Sequence, residues 1–180
     1  MYYADSTIFK IFSHHFLEGS PSKALNAPFD IVISKSLAEK YFGKKESAVG
    51  KTLRTVYDVY KVTGVIEDVP GNSHIRFDML ISMSTFLRNN QGGQPNWGNF
   101  FNYTYVLLKP AVNANAFNKK LREVYTKFVE PVFKQFNITM RYDLQNITAI
   151  HLHSNLQYEP EELGSMSYIW IFSAVAFFMV

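Results

Sequence analysis

Apolar and polar positions follow their clearest rhythm between Ile31 and Met83. A short apolar run, Ile31 to Ile33, leads into Ser34, a residue type that caps helix N-termini by accepting a hydrogen bond from a free backbone N–H. Leu37, Ala38, Tyr41 and Phe42 then recur at helical spacing and predict one apolar stripe against a core. Gly43 follows, where a helix can end in a residue of positive φ. Ser36 with Glu39 offers an alternative capping box two residues later. Beyond a charged loop, Gly50 opens a half built from strands. Thr52, Arg54 and Val56 lead to a turn near Tyr57-Asp58, and Tyr60 to Val69 reads as a half-buried strand carrying Val62, Val65 and Ile66 with β-branched Thr63. Pro70-Gly71-Asn72-Ser73 is turn chemistry. Phe77, Met79 and Ile81 alternate with Asp78 and Leu80 as a return strand.

The flanks are weaker in pattern. Tyr2 to Ala4 reads as the tail of a strand, and Asp5 or Ser6 caps a helical turn that buries Ile8, Phe9, Ile11 and Phe12. Ser84 to Asn90 predicts a short helix with Phe86 and Leu87 inward. Asn89 to Gly98 is polar, with three glycines and one proline, and is expected to be a loop. Trp97 near its end is an anchor to the core or a contact for a partner. Asn102 to Lys109 reads as a strand. Asn113 to Phe133 is expected to be the longest helix, with Phe117, Leu121, Val124, Tyr125 and Phe128 inward and Lys119, Lys120, Arg122, Glu123 and Lys127 outward. Pro131 should end or kink it. Thr139 to Leu152 alternates as a strand, so that strand, helix and strand make a βαβ-like unit.

The last stretch, Tyr168 to Val180, is thirteen residues without a charge. A spanning helix needs about 20 apolar residues. Tyr168 and Trp170 nevertheless stand where amphipathic rings settle at a headgroup boundary, and the run has no polar face. No Lys or Arg follows Arg141, which marks the non-cytoplasmic side of a membrane. The run is therefore expected to be the start of a transmembrane helix that embeds Tyr168, Trp170, Phe172, Phe177 and Phe178.

Composition narrows the function classes. The 180 residues suffice for one domain or two small lobes. Sixteen Phe and eleven Tyr raise the aromatic share to 16%, a level suited to interfaces and membrane boundaries as well as cores. A formal charge of +3 with scattered bases argues against nucleic acid. The absence of cysteine removes disulfide and thiolate chemistry. Met1 to Asp5 has neither the basic start nor the apolar centre of a signal peptide.

Candidate chemistry is sparse. Gly50-Lys51-Thr52 has part of a phosphate-loop pattern, but the position five residues before Gly50 is Lys45 where that pattern needs glycine. His151 and His153 could share one face of a strand, without an acid or third histidine at a matching spacing. His14, His15 and His74 could join them only by folding. Asp68 and Asp78 flank the Pro70 turn and are read as turn caps. No serine sits in a nucleophile elbow. Asn102, Asn137 and Asn146 begin N-x-T triplets that carry no further signal. No cofactor, metal or catalytic residue is expected, and the chain is read as non-enzymatic.

The runs SLAEKYFG, GKTL and VTGVIEDVPGNSHIRFDMLISM occur in that order. ADSTIFKIFSHHFLEG precedes them, and NWGNFFNYTYVLLKP and GSMSYIWIFSAVAFF follow. Together they resemble the extracytoplasmic core domain of MacB-like, FtsX-like ABC-transporter permeases, in particular versions from Bacteroidota-type bacteria. The resemblance spans nearly the whole chain. It implies an α+β, two-lobed mixed α/β extracytoplasmic domain over residues 1–166, truncated at its N-terminus. An inserted lobe would occupy about 7–101 and a porter-like βαβ half lobe about 102–158, with 167–180 starting a transmembrane helix. It also implies a bacterial inner membrane location with the domain on the periplasmic side. The implied partners are a separate ABC ATPase, a second permease in a homodimer or pseudo-dimer, and a periplasmic or outer-membrane protein. The implied work is coupling ATP-driven motion to export, lipoprotein release or cell-envelope work. The alternative is an extracytoplasmic sensory or adaptor domain that binds a ligand or protein without transport.

Overall fold

The computed structural model describes residues 1–90, 102–153, 160 and 166–179. The chain forms two compact units, Met1–Tyr105 and Val106–Val180.

The first unit is a six-stranded mixed sheet with short helices. Its elements are β1 (Tyr2–Ala4), α1 (Ile8–Ile11), β2 (Phe16–Gly19), β3 (Asp30–Ser34), α2 (Lys35–Phe42), β4 (Thr52–Arg54), β5 (Val59–Ile66), β6 (Met79–Ser82) and α3 (Met83–Asn89). The strand order is β1-β6-β3-β5-β2, and β4 pairs with the other end of β5. β3 runs parallel to β5 and antiparallel to β6, while β1 joins the edge parallel to β6.

β3 is buried throughout, because the sheet is covered on both faces. Ile31 and Ile33 pack with Leu53, Tyr60, Val62 and the Ala38 face of α2. Val32 points the other way, to Ala24, Leu25, Ile66, Phe77 and Leu80, with Ile8, Phe9 and Phe16 closing over it. The same double burial overrides the alternation expected of the return strand: Leu80, Ile81 and Ser82 are all buried in β6.

Local chemistry sets the ends of α2. The Ser34 hydroxyl accepts from the Leu37 N–H at 3.3 Å, and Gly43 closes the helix with φ of +85°. Ser36 is not the cap; it binds Asp68 from outside the helix. The apolar stripe is narrower than expected, since Ala38, Leu37 and Phe42 meet the core while Tyr41 is exposed. The Asp5 carboxylate accepts from the Thr7 N–H at 2.9 Å in the turn before α1, so neither Asp5 nor Ser6 is the N-cap, which is Thr7 without a side-chain capping bond. In α3 the inward residue is Thr85, whose hydroxyl accepts from the Phe29 N–H at 2.7 Å. Phe86 and Leu87 lie outward, contrary to expectation, because β6 delivers the helix with its polar face to the turn before β3.

The second unit is helical where it is regular: α4 (Ala114–Val124), a π-turn (Tyr125–Val129), α5 (Glu130–Lys134), α6 (Ile147–His153) and α7 (Met166–Phe178). Asn113 caps α4, accepting from the N–H groups of Asn115 and Ala116. Pro131 neither ends nor breaks the helical run. It cannot donate to the Lys127 carbonyl, and the widened π-turn just before it absorbs that loss. The extra residue in the turn rotates the apolar stripe, so Tyr125, Val129 and Phe133 are buried against Met140 and Tyr142 while Val124 and Phe128 are exposed.

Neither predicted strand of the βαβ-like unit forms among the described residues. Asn102 to Lys109 has no ladder partner there, and Tyr103, Val106 and Leu107 are exposed. Ile147 to His153 is helical because Asn146 acts as a cap, its side chain accepting from the Thr148 N–H and hydroxyl. α7 has thirteen residues, about 20 Å at 1.5 Å per residue. Among the described residues no helix is long and apolar enough to cross a membrane.

Candidate interaction surface

The polar groups of the first unit are spent on holding loops to the sheet. Glu18 on β2 reaches the loop before β4. Its Oε2 accepts from the Ser47 hydroxyl at 2.6 Å, the Ala48 N–H at 2.9 Å and the Val49 N–H at 3.2 Å. Partial burial pushes the Glu18 carboxyl up, but Ser47, the two N–H groups and the Lys51 ammonium outweigh it and hold it below its usual value. This loop carries Gly50-Lys51-Thr52; Glu18 takes the Ala48 and Val49 donors, while the Gly50 and Lys51 N–H groups donate to the Val62 and Ala48 carbonyls. The Lys51 ammonium binds Glu46.

A second carboxylate, Asp68, clamps the start of α2, accepting from the Ser36 N–H at 2.9 Å and the Ser36 hydroxyl at 2.6 Å. Those two bonds, the hydroxyl first, hold the Asp68 carboxyl below the usual range. The Asp78 carbonyl accepts from the Ser34 N–H at 2.8 Å, so it serves the same junction through its backbone. Neither Asp68 nor Asp78 is placed as half of an acid–base pair.

The histidines are divided between structural duties. His14 sits edge-on to Phe9 and Phe77, and burial lowers its pKa. His15 faces Glu67 at 3.0 Å. His74 Nε2 lies 2.8 Å from the Tyr105 hydroxyl, and Phe12 meets the same tyrosine ring edge-on. Among the described residues no group of three or more His, Cys, Asp or Glu could hold a metal ion. The side chains of His151 and His153 lie outside the described residues.

Trp97 also lies outside the described residues, as does the Tyr168 side chain. Trp170, Phe172, Phe177 and Phe178 are all strongly exposed on α7. In the second unit, Asp143 gathers Arg122, Asn118 and Arg141, and the Arg122 bond first among them holds its carboxyl below the usual value. Sequence reading missed both carboxylate clamps of the first unit. Glu18 and Ser47 are twenty-nine positions apart and Ser36 and Asp68 thirty-two, so no local motif joins them.

The first unit is a mixed sheet braced by the Glu18 and Asp68 clamps. The chain belongs to the MacB-like periplasmic core domain family, whose sequence profile matches residues 1–124. It is similar to a solved domain of a putative permease protein from Porphyromonas gingivalis, with 26% identity and a TM-score of 0.51 over 69% of this chain and 57% of that one. It is also similar to the periplasmic region of MacB from Actinobacillus actinomycetemcomitans, with 16% identity and a TM-score of 0.48 over 76% of this chain and 64% of that one. A third similarity is to the extracellular domain of the noncanonic ABC-type transporter YknZ from Gram-positive bacteria, with 24% identity and a TM-score of 0.36 over 49% of this chain and 45% of that one. The chain thus spans between about half and two thirds of these solved domains. No curated protein matches it.

Proposed function

We propose that the chain is a non-catalytic periplasmic domain of an FtsX-like ABC-transporter permease. A separate ABC ATPase drives its membrane helices, and the domain carries that motion to export, lipoprotein release or other cell-envelope work. The observation that carries this reading is the family match over residues 1–124, supported by the permease relative at 26% identity. In this reading residues 1–166 stand on the periplasmic side of the inner membrane. The segment 167–180 begins a membrane helix that embeds Tyr168, Trp170, Phe172, Phe177 and Phe178. Its uncharged, all-round apolar sequence and the exposure of its aromatic rings support that placement. Two permeases, as a homodimer or pseudo-dimer, and a periplasmic or outer-membrane partner complete the proposed assembly.

The test is topology and coupling in the full-length parent. Tyr41→Cys on α2 and Val175→Cys on α7 are introduced singly into a cysteine-free parent. A membrane-impermeant maleimide is applied to cells with permeabilised outer membranes. Labelling at 41 and protection at 175 are expected, together with co-purification of an ABC ATPase whose hydrolysis the permease alters. Protection at 41 until the inner membrane is lysed refutes the periplasmic placement. Labelling at 41 without any associated ATPase favours the sensory or adaptor reading.

A further inference from the structure

The chain leaves the first unit at Tyr105, the last residue before the division between the two units. Asn102 to Thr104, Val106 and Leu107 are exposed, and among the described residues no ladder holds them. Tyr105 is half-buried, with its ring in a seat made by two other segments. Phe12 meets the ring edge-on at 5.0 Å between centroids, and His74 Nε2 shares a 2.8 Å hydrogen bond with the phenolic oxygen.

Both sides of this seat are held without Tyr105. Phe12 ends α1, its N–H donating to the Ile8 carbonyl at 2.9 Å, and Ile8 and Phe9 pack on the core cluster around Val32. His74 follows a turn in which the Ser73 N–H donates to the Pro70 carbonyl at 3.0 Å, and Ile75 and Phe77 root it in the same cluster. His74 and Tyr105 are each half-buried, so water can replace the bond between them when the ring departs. An edge-on aromatic pair and one hydrogen bond are modest contacts, and a segment held by such contacts can open while the core stays closed.

We propose that Tyr105 is a releasable latch that fastens the connecting segment 106–112 to the first unit. Fastened, a pull on that segment reaches α1 and the turn at 70–73. Released, the slack of the segment absorbs the pull and the sheet is left intact. The inference goes beyond the permease reading and does not depend on it, because it concerns how one segment is held.

The experiment uses the full-length protein in a cysteine-free background. Cysteines at the exposed Tyr41 and Leu107 positions each carry a nitroxide, and pulsed electron paramagnetic resonance reads the distance between them. The parent should show a narrow main component and a minor broad one. Tyr105→Ala should raise the ratio of broad to narrow at least 10-fold, and His74→Phe and Phe12→Ala should raise it less. His74→Gln, whose amide can still bond the hydroxyl, should stay within about 2-fold of the parent. Hydrogen-exchange protection of β5 checks the fold of each variant. Tyr105→Phe, which keeps the ring and drops the hydroxyl, carries the test should Tyr105→Ala lose that protection. In urea the parent's broad component should grow before the β5 amides exchange. An unchanged ratio in the Tyr105 variants would overturn the latch. A broad component that appears only together with β5 exchange would overturn its release and make Tyr105 a fixed strut.

Discussion

Gly19→Ala should detach β2 from the sheet. Gly19 has φ of +80°, and a Cβ there would sit 2.5 Å from the Thr63 carbonyl oxygen and 3.0 Å from Gly64 Cα. Left-handed backbone costs an L-residue about 1–2 kcal/mol. No rotamer relieves the contact, because both atoms met are backbone of β5. The strand must therefore move, and the pairing of Gly19 with Gly64 and of Glu18 with Val65 moves with it. A lost ladder bond is worth about 1 kcal/mol net, so the substitution should cost about 3 kcal/mol. That is a large share of the roughly 5–15 kcal/mol that stabilises an ordinary domain. The displacement also pulls the Glu18 carboxylate away from Ser47, Ala48 and Val49. Urea unfolding read by pulsed hydrogen exchange in β5 peptides reports this unit by itself. Gly71→Ala is the comparison, since nothing lies within 4 Å of a Cβ there and its φ is not positive. It should be neutral or slightly stabilising. If Gly19→Ala stays within about 0.5 kcal/mol of the parent, or if Gly71→Ala costs as much, the account of the β2–β5 approach is wrong.

Asp68→Asn should destabilise the start of α2 by about 1 kcal/mol at neutral pH. The Asp68 pKa is depressed in the fold, so its contribution is full above the unfolded value near 4 and is lost as pH falls through the lower folded value; parent and variant melting temperatures should converge there. His14 carries a lowered pKa from burial. Folding therefore favours its neutral form, and stability should decline as pH drops below about 6.5, a decline that His14→Phe flattens. Thr85→Val leaves the Phe29 N–H without its acceptor and should cost about 1–3 kcal/mol in chemical denaturation, while Thr85→Ser should recover most of it.

Several elements were legible because their signals act over a few residues. The serine before α2 and the glycine after it each satisfy or permit backbone geometry within one turn. The β4–β5 turn at Tyr57-Asp58 is equally local, closed by Thr55. The readings that failed depended on neighbours. Phe86 and Leu87 were expected inward because they are apolar, yet Thr85 faces in, since it supplies the acceptor Phe29 needs. Thr139 to Leu152 alternates like a strand, yet Asn146 starts a helix in it, and the second unit has no strand among its described residues.

The sequence alone determined where several elements start and stop, and its ordered motifs pointed to the periplasmic-domain family. Capping, positive φ and turn bonds are short-range, so they are written in adjacent residues. Only the tertiary structure decided that β1 closes the sheet beside β6, that β3 and β6 are buried on both faces, and that Glu18 and Asp68 clamp distant loops. Those outcomes rest on pairings across tens of residues, where burial depends on what arrives from elsewhere in the chain.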